Sequence, residues 1–168
     1  MVFIKNTDTL SKTPQRKVVL QLIEAALSSI QAPTVLSKNF LRNENLLTIS
    51  DQQFDLASFD RVFVVGFGKG SGEVCRIVEE TLGEKLTGGY VIDNMEGTFR
   101  KLEFTQGTHP LPSQQNIDFT KNVLEKMTGL TEKDLVIVVI CGGGSAMFEA
   151  PHTVSLETLT ALSKALLA

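Results

Sequence analysis

The sequence has no tryptophan, a single tyrosine, and only two cysteines and two histidines in 168 residues. So few thiols and imidazoles exclude a disulfide framework and a structural zinc site: Cys75 and Cys141 have no C-x-x-C spacing, and each sits beside a glycine-rich turn. Both are expected to be reduced, buried, small residues. An excess of one charge is also missing. Sixteen basic against nineteen acidic residues leave a formal charge of -3, so there is no broad basic surface for nucleic acid or an anionic membrane. No run approaches the ~20 apolar residues of a membrane span, and the first ten residues hold no apolar core of signal-peptide length. No membrane partner and a cytoplasmic location are therefore expected.

What is present is apolar content, 42% of the chain, enough for one domain, or for one and an incomplete second. Val18, Val19, Leu22, Ile23, Ala26, Leu27 and Ile30 recur at helical spacing, predicting an amphipathic helix over 13–31, capped by Thr13, begun by Pro14 and stopped by Pro33, with its apolar face packed. Residues 34–60 read as an irregular extended lead-in with a short turn or edge strand, so 1–60 is taken as a helix and lead-in packed on the same domain as 61–168. From residue 61 the pattern becomes regular. A strand over 61–65 runs into glycines and a helix over 71–82 ended by Gly83; Gly88 and Gly89 precede a strand over 90–93; a third strand is plausible over 102–105. The prolines at 110 and 112 make 106–113 a rigid loop, and Ser113 caps a helix over 114–127 with Ile117, Val123, Leu124 and Met127 inward. The run Leu135 to Ile140 is apolar on both faces, as expected of a central parallel strand, and Ser155 caps a last leucine-rich helix.

Alternating strands and helices predict an α/β fold, a doubly wound, mostly parallel sheet with helices on both faces, whose ligands bind outside the carboxyl ends of the strands. Two glycine loops stand at such ends. In Gly66-Phe67-Gly68-Lys69-Gly70-Ser71-Gly72 the glycines allow close approach to an anion and Lys69 adds a positive charge that packing alone does not require. In Cys141-Gly142-Gly143-Gly144-Ser145 the composition predicts a second anion-cradling turn, and His109 lies on a loop at a third strand end. The pattern points to a phosphorylated or carboxylated small molecule held between two backbone nests.

Spacing narrows the chemistry. A Walker A loop needs four residues between its glycine and its Gly-Lys-Ser/Thr, and this loop lacks them. A dinucleotide fingerprint is partly matched: Gly66 and Gly68 fit its first two glycines, Ser71 stands at the third, and Asp93 ends the next strand where a ribose-binding acid would lie. Ser145 or Cys141 with His109 lacks the second glycine of a nucleophile elbow and an orienting acid. His109, His152 and Asp93 have no ligand spacing for a metal. His109 before Pro110 fits equally a residue that holds its own loop and one that touches substrate.

The order Gly66-x-Gly68-Lys69 after a buried strand, then Gly107-Thr108-His109-Pro110-Leu111-Pro112, then Asp134-Leu135-Val136 before Gly142-Gly143-Gly144-Ser145-Ala146 resembles the amino-terminal domain of the glycerate 2-kinase family, related to the tartrate-degradation kinases. The resemblance implies phosphoryl transfer from ATP, with Mg²⁺, to the 2-hydroxyl of D-glycerate, with Lys69 catalytic, Gly142 to Ser145 holding phosphate or substrate anion, and His109 in an unassigned role. Gly66, Gly68, Gly70, Ser71 and Asp93 complete the expected binding set. Cys141 stands where the family commonly has serine, and Gly70 and Ser71 where it has alanine. The family's second domain, which closes the cleft and brings an arginine, is expected to lie outside this chain, which reads as truncated at its carboxyl end. Alone it is therefore expected to turn over weakly or not at all, and to self-associate or bind a complementary carboxyl-terminal segment. An NAD(P)-binding oxidoreductase and a non-catalytic phosphate-binding module are the alternatives.

Overall fold

The computed structural model describes residues 2–167; residues 1 and 168, the outer bounds of the two segments read from the sequence, lie outside the described residues. The chain opens with α1 (Thr7–Leu10), α2 (Pro14–Ser29) and α3 (Ala32–Asn39). Thr13 caps α2 by accepting from the Arg16 amide, as its sequence predicts. Pro33 does more than stop α2: it lies in the first turn of α3, where its missing N–H costs nothing. The expected packing of the α2 apolar face is not found. No residue of α2 is buried, and Val18, Val19, Leu22, Ile23 and Ile30 are all exposed. A fully buried Val or Leu contributes about 1.5–3 kcal/mol, so α2 adds little to the stability of this fold. No single helix among the described residues is long and apolar enough to cross a membrane; α2 and α3 pass that test only as a pair, bent by 55°.

The stretch read as an irregular lead-in is instead a regular meander, β1 (Phe40–Asn43), β2 (Leu46–Ile49) and β3 (Gln52–Asp55), paired antiparallel and followed by a single 3-10 turn, Leu56–Ser58. Its Phe40, Leu47 and Leu56 enter the main core.

The central sheet is parallel throughout: β4 (Arg61–Phe67), β5 (Gly88–Asp93), β6 (Leu102–Gln106) and β7 (Asp134–Ile140), in the order β6-β5-β4-β7. Strands alternate their side chains between faces, and β4 shows the division. Val62 and Val64 point to the core made with α4 (Ser71–Leu82) and the meander; Val65 points to a second core with α5 (Gln114–Lys126) and α6 (Gly144–Met147). Helices thus cover both faces, the doubly wound arrangement expected.

Two details of packing depart from the sequence reading. Within α5, Ile117 and Val123 are buried as expected, together with Phe119 and Thr120, but Leu124 is exposed, because the buried stripe runs through 116, 117, 120 and 123. Among the described residues β7 is an edge strand, not a central one: it pairs there with β4 alone, and Val138 and Ile140 are 51% and 72% exposed. An apolar run on both faces states that both need cover; it does not state that neighbouring strands flank it. The last helix, α7 (Leu156–Leu167), begins at a Ser155 whose hydroxyl accepts from the Thr158 amide, and it buries none of its residues.

Candidate functional site

The strand order reverses between β4 and β7, since β5 and β6 lie to one side of β4 and β7 to the other. In an open parallel sheet this is where a crevice forms at the carboxyl ends. Both glycine loops stand there and touch. The Lys69 amide donates to the Gly142 carbonyl at 2.8 Å in an isolated antiparallel bridge, and the Cys141 amide donates to the Phe67 carbonyl at 2.9 Å. Gly68 is at φ +102°, and a Cβ on it would lie 2.4 Å from the Cys141 carbonyl oxygen, so only glycine lets the loops approach this closely. Phe148 stacks on Phe67 with ring centroids 4.6 Å apart, fixing the end of the second loop on the end of β4.

The first loop, Gly68–Gly72, is closed by the protein's own carboxylate. Asp93 Oδ2 accepts from the Gly70 amide at 2.9 Å and the Gly72 amide at 2.8 Å, and Oδ1 accepts from the Met95 amide at 3.3 Å. Asp93 is only 2% exposed. The Ser71 hydroxyl, fully buried, donates to the Ile92 carbonyl at 2.8 Å. Asp93, read from the sequence as a candidate ribose-binding acid, thus turns inward to the first loop's own amides in this structure. Gly66 makes room for Cys75, since a Cβ there would fall 2.2 Å from its sulfur.

The second loop, Cys141–Ala146, is open. The Gly144 amide donates to the Cys141 carbonyl and the Ala146 amide to the Gly143 carbonyl, but among the described residues the amides of Gly143 and Ser145 have no bonded acceptor. Ser145 and Gly142 are exposed, and a Cβ on Gly142 would meet nothing within 4 Å. Gly143 is at φ +77° with the His109 imidazole against it: a Cβ there would lie 2.4 Å from Nε2. Lys69 is exposed and forms no ion pair among the described residues. The second loop thus keeps two amides without acceptors among the described residues, on either side of the bonded Gly144 amide, and the loop it bridges carries the exposed Lys69.

Asn116 is what sequence reasoning missed. It is fully buried; its Oδ1 accepts from the Thr108 amide and the Ser113 hydroxyl, and its Nδ2 donates to the carbonyls of Thr108 at 2.9 Å and Ala146 at 2.7 Å. One side chain therefore ties the His109 loop to the second glycine loop. The available signal was an amide occupying a position on the apolar stripe of α5.

Burial displaces three titratable groups around the two loops, Cys75, Cys141 and Glu149. The Cys75 thiol, fully buried, is pushed up to about 12 by desolvation and is inert as a nucleophile. Cys141 is only half-buried, against expectation, because it sits where β7 ends and the open loop begins; burial still raises its thiol. Desolvation also raises the Glu149 carboxyl, and its Oε2 is buried without a hydrogen-bond partner. Among the described residues no group of three or more His, Cys, Asp or Glu side chains could hold a metal ion.

A family model described as "Domain of unknown function (DUF4147)" matches residues 18–168. D-glycerate 2-kinase from Thermotoga maritima is 37% identical over 114 residues, covering 66% of this chain and 27% of that protein. Glycerate 2-kinase from Picrophilus torridus is 27% identical over 168 residues, covering 98% of this chain and 38% of that protein. The crystal structure of glycerate kinase from Thermotoga maritima superposes with a TM-score of 0.71 at 28% identity, covering 90% of this chain and 34% of that one. The chain thus spans between about a quarter and two fifths of the length of the relatives it matches.

Proposed function

We propose, for a chain that belongs to the DUF4147 family and is glycerate-kinase-like, that its second glycine loop and Lys69 form the phosphate-holding half of a glycerate 2-kinase site. In the complete enzyme that site transfers the terminal phosphoryl group of ATP to the 2-hydroxyl of D-glycerate. The observation that carries this reading is the contrast in amide use: among the described residues Gly143 and Ser145 keep free N–H groups, in a loop bridged at Gly142 to the backbone of Lys69, which has no ion-pair partner, at the sheet's switch point.

The chemistry needs little from the protein beyond placement and charge. A bond forms between the 2-hydroxyl oxygen and phosphorus as the bond from phosphorus to the ADP oxygen breaks, the hydroxyl proton is released to water, and negative charge spreads over the transferring oxygens. Amides fixed by the Asn116 clamp do not reorganise as that charge develops, and the Lys69 ammonium adds full positive charge. Gly142 to Ser145 supply the cradle, and His109 lies against Gly143 at its edge. Gly66, Gly68, Gly70, Ser71 and Asp93 shape the first loop and carry Lys69. No group of side chains among the described residues would hold Mg²⁺, so it would be held by the nucleotide's phosphates, whose charge it would partly neutralise.

The described crevice is open, with Lys69 and Ser145 exposed, so turnover by this chain alone is proposed to be weak or absent, with water left around the phosphates. The uncovered β7 edge and α7 leucines are read as the seat of a complementary segment or a second copy, and a cytoplasmic location fits the reading. Calorimetric and thermal-shift titration with ATP-Mg²⁺, ADP-Mg²⁺, NADH and D-glycerate tests it beside Lys69→Ala. Loss of a charged hydrogen-bonding partner lowers affinity by about 10–100-fold. Saturable binding of adenine nucleotide that Lys69→Ala weakens to this extent, with the fold intact, supports the reading. Tighter binding of NADH than of ATP-Mg²⁺, or binding indifferent to Lys69, overturns it.

A further inference from the structure

The most unusual feature outside the proposed cradle is Asp93. A carboxylate only 2% exposed would be strongly unfavourable without partners, and it finds three in backbone amides, two of them from the loop that opens α4. Those two amides are the ones a phosphate would take at this position of a doubly wound sheet. The carboxylate lies at the wall of a cavity of about 450 Å³ lined by Gly70, Gly72, Arg76 and Met95 among others, so the nest has an approach from solvent. Asp93 is also held from its other side, its carbonyl accepting from the Gly107 amide at 2.8 Å. It therefore links β5, the first loop and the start of the His109 loop.

We propose that Asp93 is a built-in anion: its carboxylate takes the place in the first glycine loop that a bound phosphate would otherwise take. The loop becomes a brace instead of a receptor. It holds Lys69 N–H on the Gly142 carbonyl and leaves the second loop as the sole anion receptor of the pair. Asp93 is thus a positioning and specificity-determining residue, acting through Lys69 without touching the ligand. The positioning half of this inference rests on the reading of the second loop given above; the occupancy of the nest does not.

The test is chemical rescue. Asp93→Ala empties the nest and is expected to lower Tm by roughly 5–10 °C. Added formate should restore at least about half of that loss in a saturable way, while chloride at equal ionic strength should not. Leu82→Ala, which removes a fully buried apolar side chain, provides an equally destabilised control with no anion-shaped vacancy and should show no formate response. Asp93→Asn, which keeps an acceptor oxygen in the nest, should lose less stability and respond little to formate. If Asp93→Ala does not fold unaided, the same comparison is made by refolding it from urea with formate or with chloride, where folding only with formate supports the proposal. Recovery no greater than that of Leu82→Ala, or equal formate responses from Asp93→Ala and Asp93→Asn, overturns it. Phosphate titration in the same samples separates the two claims. Formate rescue without any Lys69-dependent phosphate binding in the unmodified chain would leave the built-in anion standing and remove the reading of the second loop.

Discussion

Two loops of almost the same composition end neighbouring strands of one sheet, and they do opposite work. The loop after β4 has its amides at Gly70 and Gly72 taken by a buried carboxylate and its Ser71 hydroxyl taken by the Ile92 carbonyl. The loop after β7 leaves Gly143 and Ser145 amides without acceptors, with an exposed hydroxyl beside them. Glycine content says that a backbone can approach something closely; it does not say whether that something is a ligand or the rest of the protein. The first loop finds its partner inside the protein because β5 ends in an aspartate aimed inward; a ligand for the second loop is the proposal.

The sharpest way to break this comparison is to add one methyl group to each loop. Gly68→Ala places a Cβ against the Cys141 carbonyl in a left-handed conformation and is expected to cost about 3–5 kcal/mol, read as a fall in the urea midpoint with unchanged slope. Gly142→Ala has open space around its Cβ, should change stability by less than about 1 kcal/mol, and should instead weaken phosphate binding. Equal stability losses from the two would mean that both loops are structural.

A smaller effect comes from the opposite ends of the same two strands. Arg61 and Asp134, the paired first residues of β4 and β7, form a two-point ion pair at 2.6 and 2.7 Å. The Arg61 hydrogen bonds, then the Thr131 amide, hold the Asp134 carboxyl down to about 2. A carboxyl with a lowered folded pKa stabilises fully above its ordinary value of 3.8 and loses that contribution as pH falls through about 2. Asp134→Asn should therefore lower Tm at pH 7, with a deficit that shrinks below pH 3.8 and vanishes near pH 2, and should leave phosphate affinity unchanged. A change in affinity would show that the base of the strands, and not only their loops, sets the receptor.

Much of the fold was legible because its signals are local. The caps at Thr13 and Ser113, the glycine stop at Gly83 and the buried strand that runs into the first glycine loop all appear as read. The antiparallel meander was hidden because its turns use Glu44 and Ser50 at positive φ, where a hairpin usually advertises itself with glycine or asparagine. The site was half legible. Sequence order could bring Lys69, His109 and Gly142 to Ser145 to one sheet edge, but an acid at the end of β5 looks the same whether it faces a ribose or its own backbone. Asn116 escaped because a single buried amide leaves the helical period of α5 intact.

The smallest effect belongs to Glu149, which follows the open loop and shares its unsatisfied character. Its carboxyl is raised above the ordinary 4.5 by desolvation, and a raised folded pKa means a contribution to stability that is full at low pH and lost as pH rises through the shifted value. Glu149→Gln should raise Tm slightly at pH 7 and make no difference near pH 3. A lower Tm at pH 7 would mean that the charged carboxylate is already stabilised in the fold.

The most direct measurement is a set of amide proton–nitrogen NMR spectra of the isotope-labelled chain, titrated with ATP-Mg²⁺ and, separately, inorganic phosphate. Saturable shifts concentrated at Gly143 and Ser145, needing about 10–100-fold more ligand in Lys69→Ala and with Gly70 and Gly72 unmoved, are the predicted result. Shifts centred on Gly70 and Gly72 would contradict it, because the anion would then be entering the loop that Asp93 is said to fill.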